Sequence, residues 1–136
     1  MSCFVDSSGL MAVFDANDPR RAAAETVLRR LRAEDALLVS TNYVVLETWS
    51  IAQRRFGLQA VRTLQADILP LLVVQWVDEQ IHAAAVAALF ASGRRQLSLV
   101  DCTSLEVMRR LGISRVFAFD PHFAEQGFEV LPEGAG

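Results

Sequence analysis

Lysine is missing from this chain. All thirteen basic residues among its 136 are arginine. A P-loop needs a lysine on the phosphates, a protein kinase needs one on its third strand, and Schiff-base catalysis needs one as nucleophile. Receiver domains share this chain's size and acidic strand ends, but they too use a lysine. The absence removes all four classes. Cysteine is scarce: Cys3 and Cys102 are too few for a disulfide framework or a cysteine-based zinc site, and a reducing cytoplasm is the expected setting. Long apolar runs are lacking as well. The longest, Ala83 to Ala91, is about half of what a bilayer crossing needs. The first residues, Met1-Ser2-Cys3-Phe4-Val5-Asp6, have no basic stretch and meet a carboxylate at once, so no signal peptide is expected there. Linkers, repeats and low-complexity segments are also missing, which predicts one domain over residues 1–131 with a loose tail at 132–136.

What is present suits a packed core. Hydrophobic residues make up 52% and charged residues 21%. At this mass, folding buries about two-thirds of the unfolded chain's surface. Short apolar runs alternate with helix signals. Strands are expected at Ser2–Val5, Ala36–Val39, Leu71–Val77 (with Trp76 as a core residue), Leu97–Val100, Arg115–Phe119 and Phe128–Leu131. Asp18-Pro19 is a helix start, with Ala23, Val27, Leu28 and Leu31 as the apolar stripe. Thr41 caps a helix through Phe56 whose core stripe is Val45, Trp49, Ala52 and Phe56. Further helices are expected over Leu58–Ile68, from Asp78 to Phe90, and from Asp101 to Leu111, where Gly112 stops the last. The strands are continuous apolar runs, as in a sheet covered on both faces. The expected fold is a three-layer α/β/α domain with a central, mainly parallel sheet of about five strands.

In such sheets ligands bind beyond the carboxyl ends of the strands. Asp6, Asp101 and Asp120 each follow a predicted strand. If the strands run the same way, the three carboxylates share one rim. Clustered acids repel one another unless a cation joins them, and hard oxygen ligands select Mg²⁺ or Mn²⁺. Glu47, between Val44 and Ile51 on its helix, is a fourth candidate. Each acid also has a plain structural role open to it: Asp6 and Asp101 as helix caps, Asp120 as a turn residue, Glu47 as a partner for Arg54. His122 reads as a structural turn residue, His82 as surface or core fill, and Asn42 as a cap or a polar pocket residue.

Phe4-Val5-Asp6-Ser7-Ser8, Val45-Leu46-Glu47, Ser98-Leu99-Val100-Asp101-Cys102-Thr103-Ser104 and Phe117-Ala118-Phe119-Asp120-Pro121-His122-Phe123 resemble, in order and spacing, the successive motifs of the PIN-domain nucleases. Within that family the chain is most similar to the small VapC-type toxins of toxin–antitoxin pairs. The resemblance covers residues 2 to 131. It implies a metal-dependent endoribonuclease using one or two Mg²⁺ or Mn²⁺ ions, with Asp6, Glu47, Asp101 and Asp120 as the acids that hold metal and act in catalysis. Ser8, Thr103 and Ser104 would support those carboxylates by hydrogen bonds, and Arg54 or Arg55, beyond Glu47 on the same helix, would reach an RNA phosphate. The third motif departs from the common toxin form, in which alanine and leucine follow the aspartate. The resemblance further implies an antitoxin partner and a homodimer. The apolar helices Leu58–Ile68 and Ile81–Phe90 are the expected dimer patch.

The charge balance agrees with an RNA substrate. Taking four site acids from a formal net charge of −3 leaves +1. Two other enzyme or protein classes compete. A phosphohydrolase of the haloacid-dehalogenase type needs a second aspartate where Ser8 stands, and a lysine. A non-toxin PIN nuclease in RNA processing, or a non-catalytic PIN-like interaction module, remains the alternative; the module's mark would be a degraded acid set.

Overall fold

A computed structural model of the chain describes residues 1–134. Of the predicted loose tail, Ala135 and Gly136 lie outside the described residues. Five strands form one sheet: β1 (Ser2–Val5), β2 (Leu37–Thr41), β3 (Val73–Gln75), β4 (Arg115–Phe117) and β5 (Glu129–Leu131). Their spatial order is β3-β2-β1-β4-β5 and every pairing is parallel. The helices are α1 (Ser7–Phe14), α2 (Arg21–Ala33), α3 (Asn42–Phe56), α4 (Leu58–Thr63), α5 (Glu79–Ser92), α6 (Leu99–Leu111) and α7 (His122–Glu125). A π-helical turn, Leu64–Ile68, and a 3₁₀ turn, Leu69–Leu71, continue from α4. The expected three-layer α/β/α architecture is the one observed.

The main core is built from Phe4 and Val5 of β1, Val116 and Phe117 of β4, Leu31 of α2, Val44 of α3 and Val107 and Met108 of α6. Parallel pairing leaves no hairpins, so each strand must reach the next through a crossover. The strand order reverses beside β1: the chain winds outward to β3 on one side, then returns to build β4 and β5 on the other. Such a reversal opens a crevice beyond the carboxyl ends of the two strands at the switch. Those strands are β1 and β4, in register at Phe4–Val116 and Val5–Phe117. Asp6 follows the first, and Asp120 stands three residues beyond the second.

Several expectations need correction. Leu97–Val100 is not a strand. Ser98 caps α6 at its first turn: its hydroxyl accepts from Asp101 N–H and the Asp101 carboxylate accepts from Ser98 N–H. Leu97, just before the cap, is buried with Cys102, the fourth helical residue. This hydrophobic staple and reciprocal cap outweigh the strand propensity of the run. Asp101 is therefore a first-turn helix residue and not a strand-end residue. The helix expected at Asp18-Pro19 starts at Arg21, because the Asp18 carboxylate folds back onto Arg20 N–H at 2.8 Å. Ala24 is buried where Ala23 was expected. On α3 the buried stripe is Val44, Thr48 and Ala52, rotated from Val45, Trp49 and Phe56. Thr48 tolerates this because its hydroxyl donates to Val44 O at 2.8 Å. Phe56 is exposed, and so is Trp76, which falls just past the edge strand β3. His82 is half-buried with its Nδ1 2.6 Å from the Tyr43 hydroxyl, and Asn42 ties α3 to the β3–α5 loop by accepting from Val77 N–H at 2.6 Å.

Candidate metal and nuclease site

The four candidate acids line one hollow of about 300 Å³ at the carboxyl end of the sheet, with Ser7, Ser8, Asp18, Arg20 and Arg55 around them. Asp6 reaches it because β1 ends one residue earlier and α1 begins one residue later. Gly9 lets α1 come that close: a Cβ there would stand 2.7 Å from Phe117 O. Asp6 N–H donates to Phe117 O at 3.0 Å, which fastens the turn to β4.

Each carboxylate has one oxygen held by a hydrogen bond, from its own turn for the three aspartates and from α1 for Glu47. Asp6 caps α1, and its Oδ2 accepts from Ser8 N–H at 3.2 Å and from the Ser8 hydroxyl at 2.6 Å. Asp101 Oδ2 accepts from Ser98 N–H at 3.2 Å. Asp120 Oδ1 accepts from His122 N–H at 2.9 Å. Glu47 Oε1 accepts from the Ser7 hydroxyl. The second oxygen of each acid has no hydrogen-bond donor among the described residues. Such a set offers hard oxygen ligands on pre-oriented carboxylates.

Burial raises the cost of charge on these carboxylates. Asp6 is 3% exposed, and desolvation pushes its carboxyl up to about 7 against the opposing Ser8 hydrogen bonds, with Asp101 and Asp120 adding repulsion. Asp101 is raised too, by desolvation first and then by the charge of Asp120. Ligand atoms of Asp101, Asp120 and His122 all lie within 4.8 Å of one another, which is the tightest acidic grouping among the described residues. Asp6 and Glu47 face the same hollow from farther off. The donor chemistry and the uncompensated buried charge both fit a divalent ion.

The supporting residues divide. Ser8 touches Asp6 as described, and its Oγ also accepts from Phe119 N–H at 2.9 Å. Thr103 instead donates to Val100 O at 2.7 Å. Ser104 is fully buried and its hydroxyl has no partner among the described residues. Arg54 does not line the hollow, whereas its neighbour Arg55 does. Three contributors escaped the sequence reading: Ser7, Arg20 and His122. Ser7 and His122 carry a signal, since each stands within two residues of a candidate aspartate. His122 Nε2 lies 3.2 Å from Gln96 O, and its Nδ1 lies 3.5 Å from Arg94 Nη2. It thus straps the Asp120 loop to the loop that leads into α6.

Comparison with known proteins places this geometry. The PIN domain family model matches residues 3–129. The 23S rRNA-specific endonuclease VapC20 of Mycobacterium tuberculosis is 36% identical over 132 residues, covering 96% of this chain and 98% of that protein. The crystal structure of M. tuberculosis VapC20, titled a Sarcin-Ricin loop cleaving toxin, superposes with a TM-score of 0.81 at 33% identity, covering 93% of this chain and 96% of that one. FitAcB from Neisseria gonorrhoeae shares the fold, with a TM-score of 0.68 at 17% identity over 94% of this chain and 95% of that one. A family match over nearly the whole length, around an acidic hollow at the sheet's switch point, means that this chain belongs to the PIN-domain family.

Proposed function

We propose that this chain is a metal-dependent endoribonuclease of the VapC type, the toxin half of a toxin–antitoxin pair, acting in the cytoplasm. The observation that carries the reading is the set of four carboxylates, each held through one oxygen and open at the other. By its likeness to the VapC20 proteins, the substrate is 23S ribosomal RNA at the sarcin–ricin loop.

Asp6, Asp101 and Asp120 would hold Mg²⁺ or Mn²⁺ with their open oxygens. When bound, the ion supplies a water of lowered pKa and neutralises charge on the leaving oxygen. Glu47, fixed by Ser7, orients the attacking water and takes its proton. Ser8 keeps Asp6 in one rotamer. The first turn of α6 points free backbone N–H groups and the positive end of its dipole toward the scissile phosphate.

Purified protein incubated with total RNA and Mg²⁺ or Mn²⁺ should release discrete fragments whose ends map to the sarcin–ricin loop. EDTA and Asp6→Asn should each abolish them. Fragments ending elsewhere would overturn the target, and metal-independent cleavage would overturn the chemistry.

The partners follow from the likeness to VapC-type toxins, and apolar surface offers places for them. Tyr43, Leu46, Trp49, Leu69, Val74 and Trp76 line a second hollow of about 650 Å³ along α3, with Leu46 and Trp76 exposed. An apolar antitoxin segment would cover it, reaching past Glu47 to the acids. Leu58 and Phe90, also exposed, support the α4 and α5 faces as the patch that a homodimer would cover. Among the described residues no helix is long and apolar enough to cross a membrane. A monomer by sedimentation at micromolar concentration would sink the dimer.

A further inference from the structure

The acidic hollow has one basic lip, and we propose that Arg20 and Arg55 on that lip grip an RNA phosphate next to the one that is cut. This rests on the ribonuclease reading of the hollow and assigns the part of the substrate it holds outside the metal. Arg20 ends the turn before α2 and Arg55 lies in the last turn of α3, yet both line the hollow with the acids.

The charge arithmetic calls for such a lip. Four carboxylates bring four negative charges, and even two divalent ions do no more than cancel them. Each flanking phosphate then adds another negative charge that needs a cation of its own. Arg94, which approaches His122, does not line the hollow and is engaged by Glu125 at 2.8 Å. Arg55 makes no ion pair among the described residues. Asp18, Arg20 and Arg55 together leave one positive charge on the lip. Asp18 stays ionised, since hydrogen bonds from Arg20 and the charge of Arg55 hold its carboxyl below the usual aspartate range.

Arg20 is also held in place. Its Nε and Nη2 bond Asp18 Oδ1 and Oδ2 at 3.1 and 3.0 Å, and its guanidinium lies 4.7 Å over the Phe119 ring. This uses two of the five N–H donors, and both Nη1 donors lack a protein acceptor among the described residues. A guanidinium fixed on a carboxylate and a ring face loses little freedom when it binds phosphate. The platform is tied to the acids as well. Phe119 immediately precedes Asp120, and its N–H donates to the Ser8 hydroxyl, which donates to Asp6. The gripped phosphate would therefore sit at a set distance from the carboxylates.

Arg20→Gln, Arg55→Gln and the double variant test this. The probes are a ribosomal RNA fragment containing the sarcin–ricin loop and an oligouridylate. Binding is measured against salt in an Asp120→Asn background. Each lost phosphate contact should flatten the slope of log affinity on log salt by about 0.7. In the cleaving protein KM should rise about tenfold, with kcat kept within about twofold. Arg20→Lys keeps the charge and should keep the slope, while Arg29→Gln on the outer face of α2 should change nothing. Should Arg20→Gln fold poorly by circular dichroism, the exposed Arg55→Gln carries the test alone. A double variant with unaltered slope and KM overturns the grip while leaving the ribonuclease reading in place. A parent protein that neither binds nor cleaves either RNA overturns both.

Discussion

Ser98 and Asp101 cap each other, the serine hydroxyl accepting from Asp101 N–H at 3.0 Å and the aspartate accepting from Ser98 N–H at 3.2 Å. The hydroxyl bond starts α6, and the reciprocal bond from Ser98 N–H holds one oxygen of a carboxylate in the acidic hollow. Ser98→Ala should lower stability by about 1 kcal/mol and leave Mn²⁺ affinity unchanged, because the substitution keeps the backbone N–H that holds Asp101 Oδ2. Urea unfolding and calorimetric titration read the two effects separately. A fall in Mn²⁺ affinity of about tenfold would mean that the hydroxyl, through the N–H of Asp101, also sets the carboxylate.

Ser104 lies one turn beyond Asp101 with a buried hydroxyl that nothing among the described residues satisfies. An unpaired buried hydroxyl costs on the order of 1–3 kcal/mol. Ser104→Ala should therefore raise the urea midpoint and leave Mn²⁺ affinity as it was. A fall in affinity would instead place this hydroxyl among the groups that support the carboxylates.

The capping roles and the site roles weighed in the sequence turn out to be one arrangement. Asp6 caps α1, Asp101 caps α6 and Asp120 makes a turn, and each still has an oxygen to offer the hollow. That is why Asp6 and Asp120 were legible: an aspartate just past a strand is placed by backbone hydrogen bonds that the local sequence dictates, whereas Asp101 was picked out as a strand end and stands instead in the first turn of α6. The parallel sheet was legible for a similar reason, in its continuous apolar runs. Side chains placed by tertiary contact were not. Leu97–Val100 has the composition of a strand, and the Ser98–Asp101 cap together with the packing of Leu97 with Cys102 makes it begin a helix. Arg20 looks like any surface arginine until Phe119, 99 positions away in sequence, arrives beneath it. Trp76 looks like core, but it falls one residue past an edge strand.

Gly9 sets the approach of α1 to β4. An added Cβ would meet Phe117 O at 2.7 Å and the Phe117 ring at 3.1 Å. The first neighbour is sheet backbone and cannot step aside, so the helix must shift. Gly9→Ala should cost about 1–3 kcal/mol, the usual range for overpacking. Because the shift carries the Asp6 cap with it, RNA cleavage should fall by more than lost stability explains. Cleavage measured well below the melting temperature separates the two. Full activity there would show that Asp6 is positioned by β1 alone.

The metal-free protein should lose stability as pH rises from about 4 to about 7. The Asp6 carboxyl titrates near 7 when folded and near 3.8 when unfolded. Within that window the folded state keeps a proton that the unfolded chain has released, and each rise in pH then favours unfolding. Asp101, raised for the same reason, adds in the same direction. Asp18, Glu34 and Glu125 are shifted downward by hydrogen bonds from Arg20, Arg115 and Arg94, so their effect lies at lower pH and has the opposite sign. Comparison with Asp6→Asn isolates the buried group. In EDTA, wild type should lose melting temperature across the window more steeply than the asparagine variant. Mn²⁺ requires the ionised carboxylates, so its stabilising shift should grow with pH in wild type and shrink in Asp6→Asn. Parallel pH profiles for the two proteins in EDTA would mean that Asp6 is already ionised without metal, and the burial that points to a cation would lose its force.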